Sequence, residues 1–152
     1  MAAKEKAADT TIRIKRVFKA PIERVFKACF DPQLLRQWWC PEGYRFTDVT
    51  IDPKTGRGKR YSMIGDGGDR YIWEIDYQLI EEPKKLKWTS TPIEGFGDQG
   101  VTRAMLQFCE VPGGTEVTLT HEGFPDKDTR DAHQNGWGGG FDKLEKLLAK
   151  KA

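Results

Sequence analysis

At 152 residues, with 38% apolar and 11% aromatic side chains, the chain is long enough to bury a core without disulfides or metals. Its 25 basic and 23 acidic residues leave a net charge of +2, too even a balance to steer it to nucleic acid or an anionic membrane. No run approaches the roughly 18 apolar residues that a spanning helix needs.

Residues 1–9 are polar, carry Lys4, Glu5 and Lys6, and lack the apolar stretch of a signal peptide, so a disordered leader is expected. Thr10 to Ala20 alternates, with Ile12, Ile14 and Val17 assigned to one face, and reads as a strand. Pro21 suits a first helical turn, and Ile22, Val25, Phe26 and Cys29 recur at helical spacing, which predicts a short helix over 21–30. Asp31-Pro32 reads as an N-cap and first position of a second short helix holding Leu34, Leu35, Trp38 and Trp39. Cys40-Pro41-Glu42-Gly43 ends it.

Strands and tight turns follow. Val49 and Ile51 alternate in 44–52, before a turn at 52–56; Tyr61 and Met63 alternate in 58–65. The run 65–69 is a glycine-rich hairpin turn. Tyr71, Trp73, Ile75, Tyr77 and Leu79 give the clearest alternation, and Leu86, Trp88 and Ser90 share a face after a turn at 81–84. Residues 92–99 read as a loop. Ala104, Leu106 and Phe108 face one way in 100–111, and Val117, Leu119 and His121 do so in 115–122. Short turns between these strands imply an antiparallel meander.

Asp126 or Asp128 can cap a closing helix whose stripe is Ala132, His133, Trp137, Phe141, Leu144, Leu147 and Leu148. Gly136, Gly138, Gly139 and Gly140 interrupt it; they predict a soft or kinked helix, serving either close packing or a hinge. The whole reads as α+β: one curved antiparallel sheet of about seven strands around a long C-terminal helix, with two short helices after the first strand. Such a sheet closing over one stripe of large side chains leaves a cavity. One domain over 10–150 is expected.

Four segments carry a family likeness: APIERVFKACFDPQLLRQWWCPEG (20–43), YIWEIDYQLIEEPKKLKWT (71–89), GGTEVTLTHEGF (113–124) and NGWGGGFDKLEKLL (135–148). In that order the chain resembles the START-like (SRPBCC) superfamily and, within it, the heat-shock-protein-90 ATPase activator homologue family. The resemblance implies a helix-grip fold with a hydrophobic cavity between sheet and helix. Its members include co-chaperone domains, binders of lipids and aromatic ligands, and polyketide cyclases.

The cavity candidates are Trp38, Trp39, Tyr61, Met63, Tyr71, Trp73, Ile75, Trp88, Leu106, Phe108, His121, His133, Trp137 and Phe141. Trp38 and Trp39 read either as core rings or as an aromatic lid over a ligand. Each other apolar candidate has packed core as its competing role. His121 and His133 read as structural histidines or as polar partners for a ligand. A metal site would need Cys109, Glu122 or Asp126 as a third ligand, and the spacing does not support one. Glu74 and Asp76 are assigned to solvent, and Arg103 would need a partner if it faced inward.

The three cysteines, Cys29, Cys40 and Cys109, form no Cys-x-x-Cys pair, so reduced thiols in a cytoplasm are expected. No nucleophile–base signature is visible. The leading expectation is therefore a non-catalytic binder of a small hydrophobic or aromatic molecule, with no cofactor or metal. A co-chaperone-like interaction module that meets a chaperone is the second reading. A cyclase- or hydrolase-like enzyme using His121 or Arg103 is the third.

Overall fold

The computed structural model describes residues 10–39, 43–51, 58–95 and 100–150. The expected leader at 1–9, Cys40 to Glu42, the turn at 52–56 and the inward placing of Val49 and Ile51 lie outside what is described.

Seven strands form one antiparallel sheet: β1 (Ile12–Phe18), β2 (Tyr44–Ile51), β3 (Gly58–Gly65), β4 (Arg70–Glu81), β5 (Lys85–Glu94), β6 (Thr102–Val111) and β7 (Gly114–Glu122). Their order is β1-β7-β6-β5-β4-β3-β2. Strands β2 to β7 are a meander, and β1 closes onto the last of them, pairing Ile12 with His121 and Phe18 with Thr115. The strands on either side of the two short helices thus occupy opposite edges. Those helices, α1 (Ile22–Phe30) and α2 (Pro32–Leu35), carry the chain across, and α1 packs on β6 and β7.

Parity in β1 corrects one expectation. Ile12, Ile14, Arg16 and Phe18 share a face, so Val17 turns outward and is 47% exposed. Arg16 keeps its place at the rim of the inward face by bonding Asp142 at 2.8 Å and lying over the Phe141 ring. Pro21 sits at the N-cap of α1, one position before the expected first turn. The Asp31 carboxylate accepts from the Gln33 N–H at 2.9 Å, as its capping position requires. The second helix is shorter than the sequence suggests: after Leu35 the chain continues in turns to Trp38.

The expected loop at 92–99 begins later, because β5 runs on to Glu94. A register shift lets Pro92 pair opposite Trp73, and such irregularities are where a strand tolerates proline.

The long helix α3 (Lys127–Ala149) is capped by Asp126, whose carboxylate accepts from the Thr129 N–H at 2.8 Å. It stays α-helical through the glycine run. Trp137, Gly140, Phe141, Leu144 and Leu148 are its buried stripe, while Ala132, assigned to that stripe, is exposed near the start. The glycines divide by position. A Cβ on Gly140 would stand 3.2 Å from the Trp38 carbonyl oxygen and 3.5 Å from its ring, so this glycine admits the tryptophan. A Cβ on Gly138 or Gly139 would meet nothing within 4 Å.

Gly139→Ala is therefore expected to raise stability by about 1 kcal/mol, the ordinary helix-propensity gain. Gly140→Ala is expected to lose that gain or reverse it. Urea midpoints of the two variants against wild type check the difference.

Candidate functional site

Along α3 the interior changes character. From Phe141 onward the helix is pressed into packed side chains. Before Trp137 it stands off the sheet and leaves a cavity of about 420 Å³. Strands β2 to β7 form one side, α3 the other, and Trp39, just after α2, one end.

The wall is mostly aromatic. Trp39 lies edge-on to Trp73 and Trp88, with centroids 6.3 and 6.1 Å away, and 5.8 Å from Trp137. Tyr44 and Tyr71 pack at 5.5 Å. The Tyr44 hydroxyl donates to Asp69 at 2.5 Å. That hydrogen bond is the main reason the Tyr44 pKa is raised and the Asp69 pKa lowered.

A polar strip crosses β5, β6 and β7. Ser90 and Thr102 are cross-strand partners, and both line the cavity beside His121. The Trp137 Nε1–H donates to His121 Nδ1 at 3.1 Å. An indole nitrogen only donates, so Nδ1 is an acceptor and the proton of the neutral ring lies on Nε2. Nε2 then donates to Thr102 Oγ1 at 2.9 Å. Burial, with a smaller contribution from His133, pushes the His121 pKa down to about 3. At the α3 side, His133 Nδ1 stands 2.9 Å from the Thr129 carbonyl, which can only accept, so Nδ1 donates. Burial lowers the His133 pKa, and that bond opposes the shift.

Of the sequence candidates, Trp39, Met63, Tyr71, Trp73, Trp88, His121, His133 and Trp137 come together on this wall. Trp38, Tyr61, Ile75, Leu106, Phe108 and Phe141 are placed in the packed core instead. Trp38 donates from Nε1 to the Ala28 carbonyl at 2.8 Å and packs near Phe141. Tyr61 stacks on Trp73 at 5.4 Å, and its buried hydroxyl has no hydrogen-bond partner among the described residues. Phe108 packs edge-on to Phe26. Tyr61, Ile75, Leu106 and Phe108 share strand faces with wall residues, but other side chains cover them: Phe26 packs on Phe108, and Phe46, Trp39 and Trp73 pack on Tyr61.

Sequence reasoning missed Tyr44, Ser90, Pro92, Thr102, Ala132 and Gly136 as lining residues. Ser90 and Thr102 do have the parity of Trp88 and Ala104, so alternation could have found them. Arg103 points outward, paired with Glu122 at 3.1 Å. Among the described residues no cluster of three His, Cys, Asp or Glu is placed to hold a metal.

Residues 19–149 match the family model described as Activator of Hsp90 ATPase homolog 1-like protein. No curated protein matches the chain. Among solved structures, a protein from Chromobacterium violaceum superposes with a TM-score of 0.84 at 24% identity, over 93% of this chain and 99% of that one. The AHSA1 protein from Silicibacter pomeroyi gives 0.79 at 24% identity, over 91% and 97%. A protein from Rhizobium leguminosarum gives 0.77 at 26% identity, over 93% and 95%. These likenesses agree on the helix-grip fold.

The histidines make stability depend on pH. Their folded pKa values lie below the unfolded value of 6.5, so unfolding takes up protons below that pH. Their contribution is complete above pH 6.5 and is lost as pH falls below it, that of His121 down to about pH 3. His121→Gln is expected to flatten the slope of unfolding free energy between pH 6.5 and 4 by up to about 1.4 kcal/mol per pH unit. Denaturant titrations of both proteins across that range check it.

Proposed function

The chain belongs to the Activator of Hsp90 ATPase homolog 1-like protein family, and from its cavity we propose that this member binds a small hydrophobic or aromatic molecule without transforming it. The observation that carries the reading is the cavity itself. Its volume of about 420 Å³ falls within the range of roughly 300–1,000 Å³ usual for small-molecule sites. Four tryptophans, Trp39, Trp73, Trp88 and Trp137, stand in its wall. Large rings at mixed angles offer both faces and edges to a planar guest, the arrangements in which aromatic pairs gain most.

The polar groups support binding over catalysis. His121 has both ring nitrogens engaged and is held neutral, so it offers no proton-transfer function near neutral pH. Arg103, the other group a cyclase-like mechanism would need, is turned to solvent. On this reading residues 10–150 are one binding domain of a soluble, cytoplasmic carrier or sensor. No helix among the described residues is long and apolar enough to cross a membrane.

Native mass spectrometry of gently purified protein is expected to show a bound small molecule. Re-addition of that molecule is expected to shift tryptophan emission. Gly136 lines the cavity, and a Cβ there would meet nothing within 4 Å. Gly136→Leu is therefore expected to weaken binding about tenfold or more without lowering the urea midpoint. A bare protein that responds to no apolar compound would end the binding reading and turn attention to a chaperone partner, tested by pulldown.

A further inference from the structure

The Trp137–His121–Thr102 relay is closed on itself, and Thr102 at its end has no exposed surface, so a guest must find its polar partner elsewhere in the wall. The middle strand of the sheet, β5, supplies one. Trp88 and Ser90 stand two residues apart on the same face of it, and both line the cavity. Neither side chain makes a hydrogen bond among the described residues. Neither is sealed: Trp88 keeps 4% of its surface accessible, and Ser90 is half-buried. Among the described residues, the polar side-chain atoms that are both unpaired and sealed belong to Tyr61 and Gln134. The Trp88 Nε1–H therefore touches open space, and from the inward face of the middle strand that space is the cavity.

The two groups set the chemistry of what can replace water there. An indole N–H can only donate, while a hydroxyl donates or accepts. A guest that takes the place of water on such a donor must bring an acceptor of its own, or the donor is left unmade. A carbonyl oxygen, with two lone pairs, can take both donors; a hydrocarbon of the same shape can take neither. The neighbouring rings are set to hold the rest of the molecule: Trp39 lies edge-on to Trp88 at 6.1 Å, and Trp137 stands 6.5 Å from Trp88.

We infer that the guest is an aromatic molecule bearing an acceptor oxygen, held on β5 by the Trp88 indole N–H with the Ser90 hydroxyl as a second donor. This deepens the binding reading above and rests on it.

The test uses two probes of one shape, 2-acetylnaphthalene and 2-isopropenylnaphthalene, in which C=CH₂ replaces C=O. In the wild-type protein the indole N–H proton resonance of Trp88 is expected to move downfield when the ketone binds, and not when the hydrocarbon does. Isothermal titration calorimetry then gives the affinity of each probe for wild type and for Ser90→Ala, which removes a hydroxyl that no described residue relies on. That substitution is expected to shift the ketone-to-hydrocarbon affinity ratio about fivefold against the ketone, the size of one lost hydrogen bond. A Trp88 resonance that answers both probes alike, a ratio unchanged by Ser90→Ala, or binding of the hydrocarbon alone would overturn this inference and leave the binding reading standing. If neither probe binds, both readings fall.

Discussion

The indole of Trp137 stands at the boundary on which this structure depends. Its N–H can only donate, and it donates to His121 on β7. That one bond ties the long helix to the sheet where packed core gives way to open cavity. It also fixes the tautomer of a buried histidine, and through it the polarity of Thr102. The same ring packs against Trp38, Trp39, Trp88 and Phe141. One side chain thus belongs at once to the core, the cavity wall and the polar strip.

Small and large residues are distributed along α3 so that this boundary can exist. Gly140 admits the Trp38 backbone and ring, which brings the end of the α1–α2 segment onto the helix. Trp38 is anchored there by its hydrogen bond to Ala28. With Trp38 fixed, its neighbour Trp39 is presented to the cavity, against Trp73 and Trp88. One turn earlier, Gly136 leaves space instead of filling it. The same residue type serves a close approach at one position and a void at another. A helix with alanine or leucine throughout this run could not do both.

The site is also defined by where charge is placed. Arg16 is drawn to the rim by Asp142, and Arg103 is held outside by Glu122. Inside, the polar groups are neutral and largely committed to one another. Unpaired charge in such surroundings is expensive, while a neutral relay lowers no barrier to an apolar guest. The interior is therefore aromatic, with the polar groups of Trp137, His121 and Thr102 paired to one another.

The sequence by itself determined the strands, their antiparallel meander and the long helix, and narrowed its cap to Asp126 or Asp128. Period-two and period-3.6 burial are local properties, and short turns leave few ways to connect strands. Among the described residues it also determined most of those that face inward; Val17, where reading past strict alternation cost Phe18 its place, and Ala132, exposed near the start of the helix, are exceptions. Only the tertiary structure decided which inward residues are core and which are wall. Tyr61 and Met63 share one face of β3, yet one is sealed beneath rings and the other lines the cavity. Alternation reports the side of a sheet and says nothing of what lies above each position. That depends on where the helix rests, which Gly140 and Trp38 settle across about a hundred residues of chain. Thr102 and His121 likewise become one relay only when β6 and β7 pair, and Trp137 gives it direction only when the helix docks.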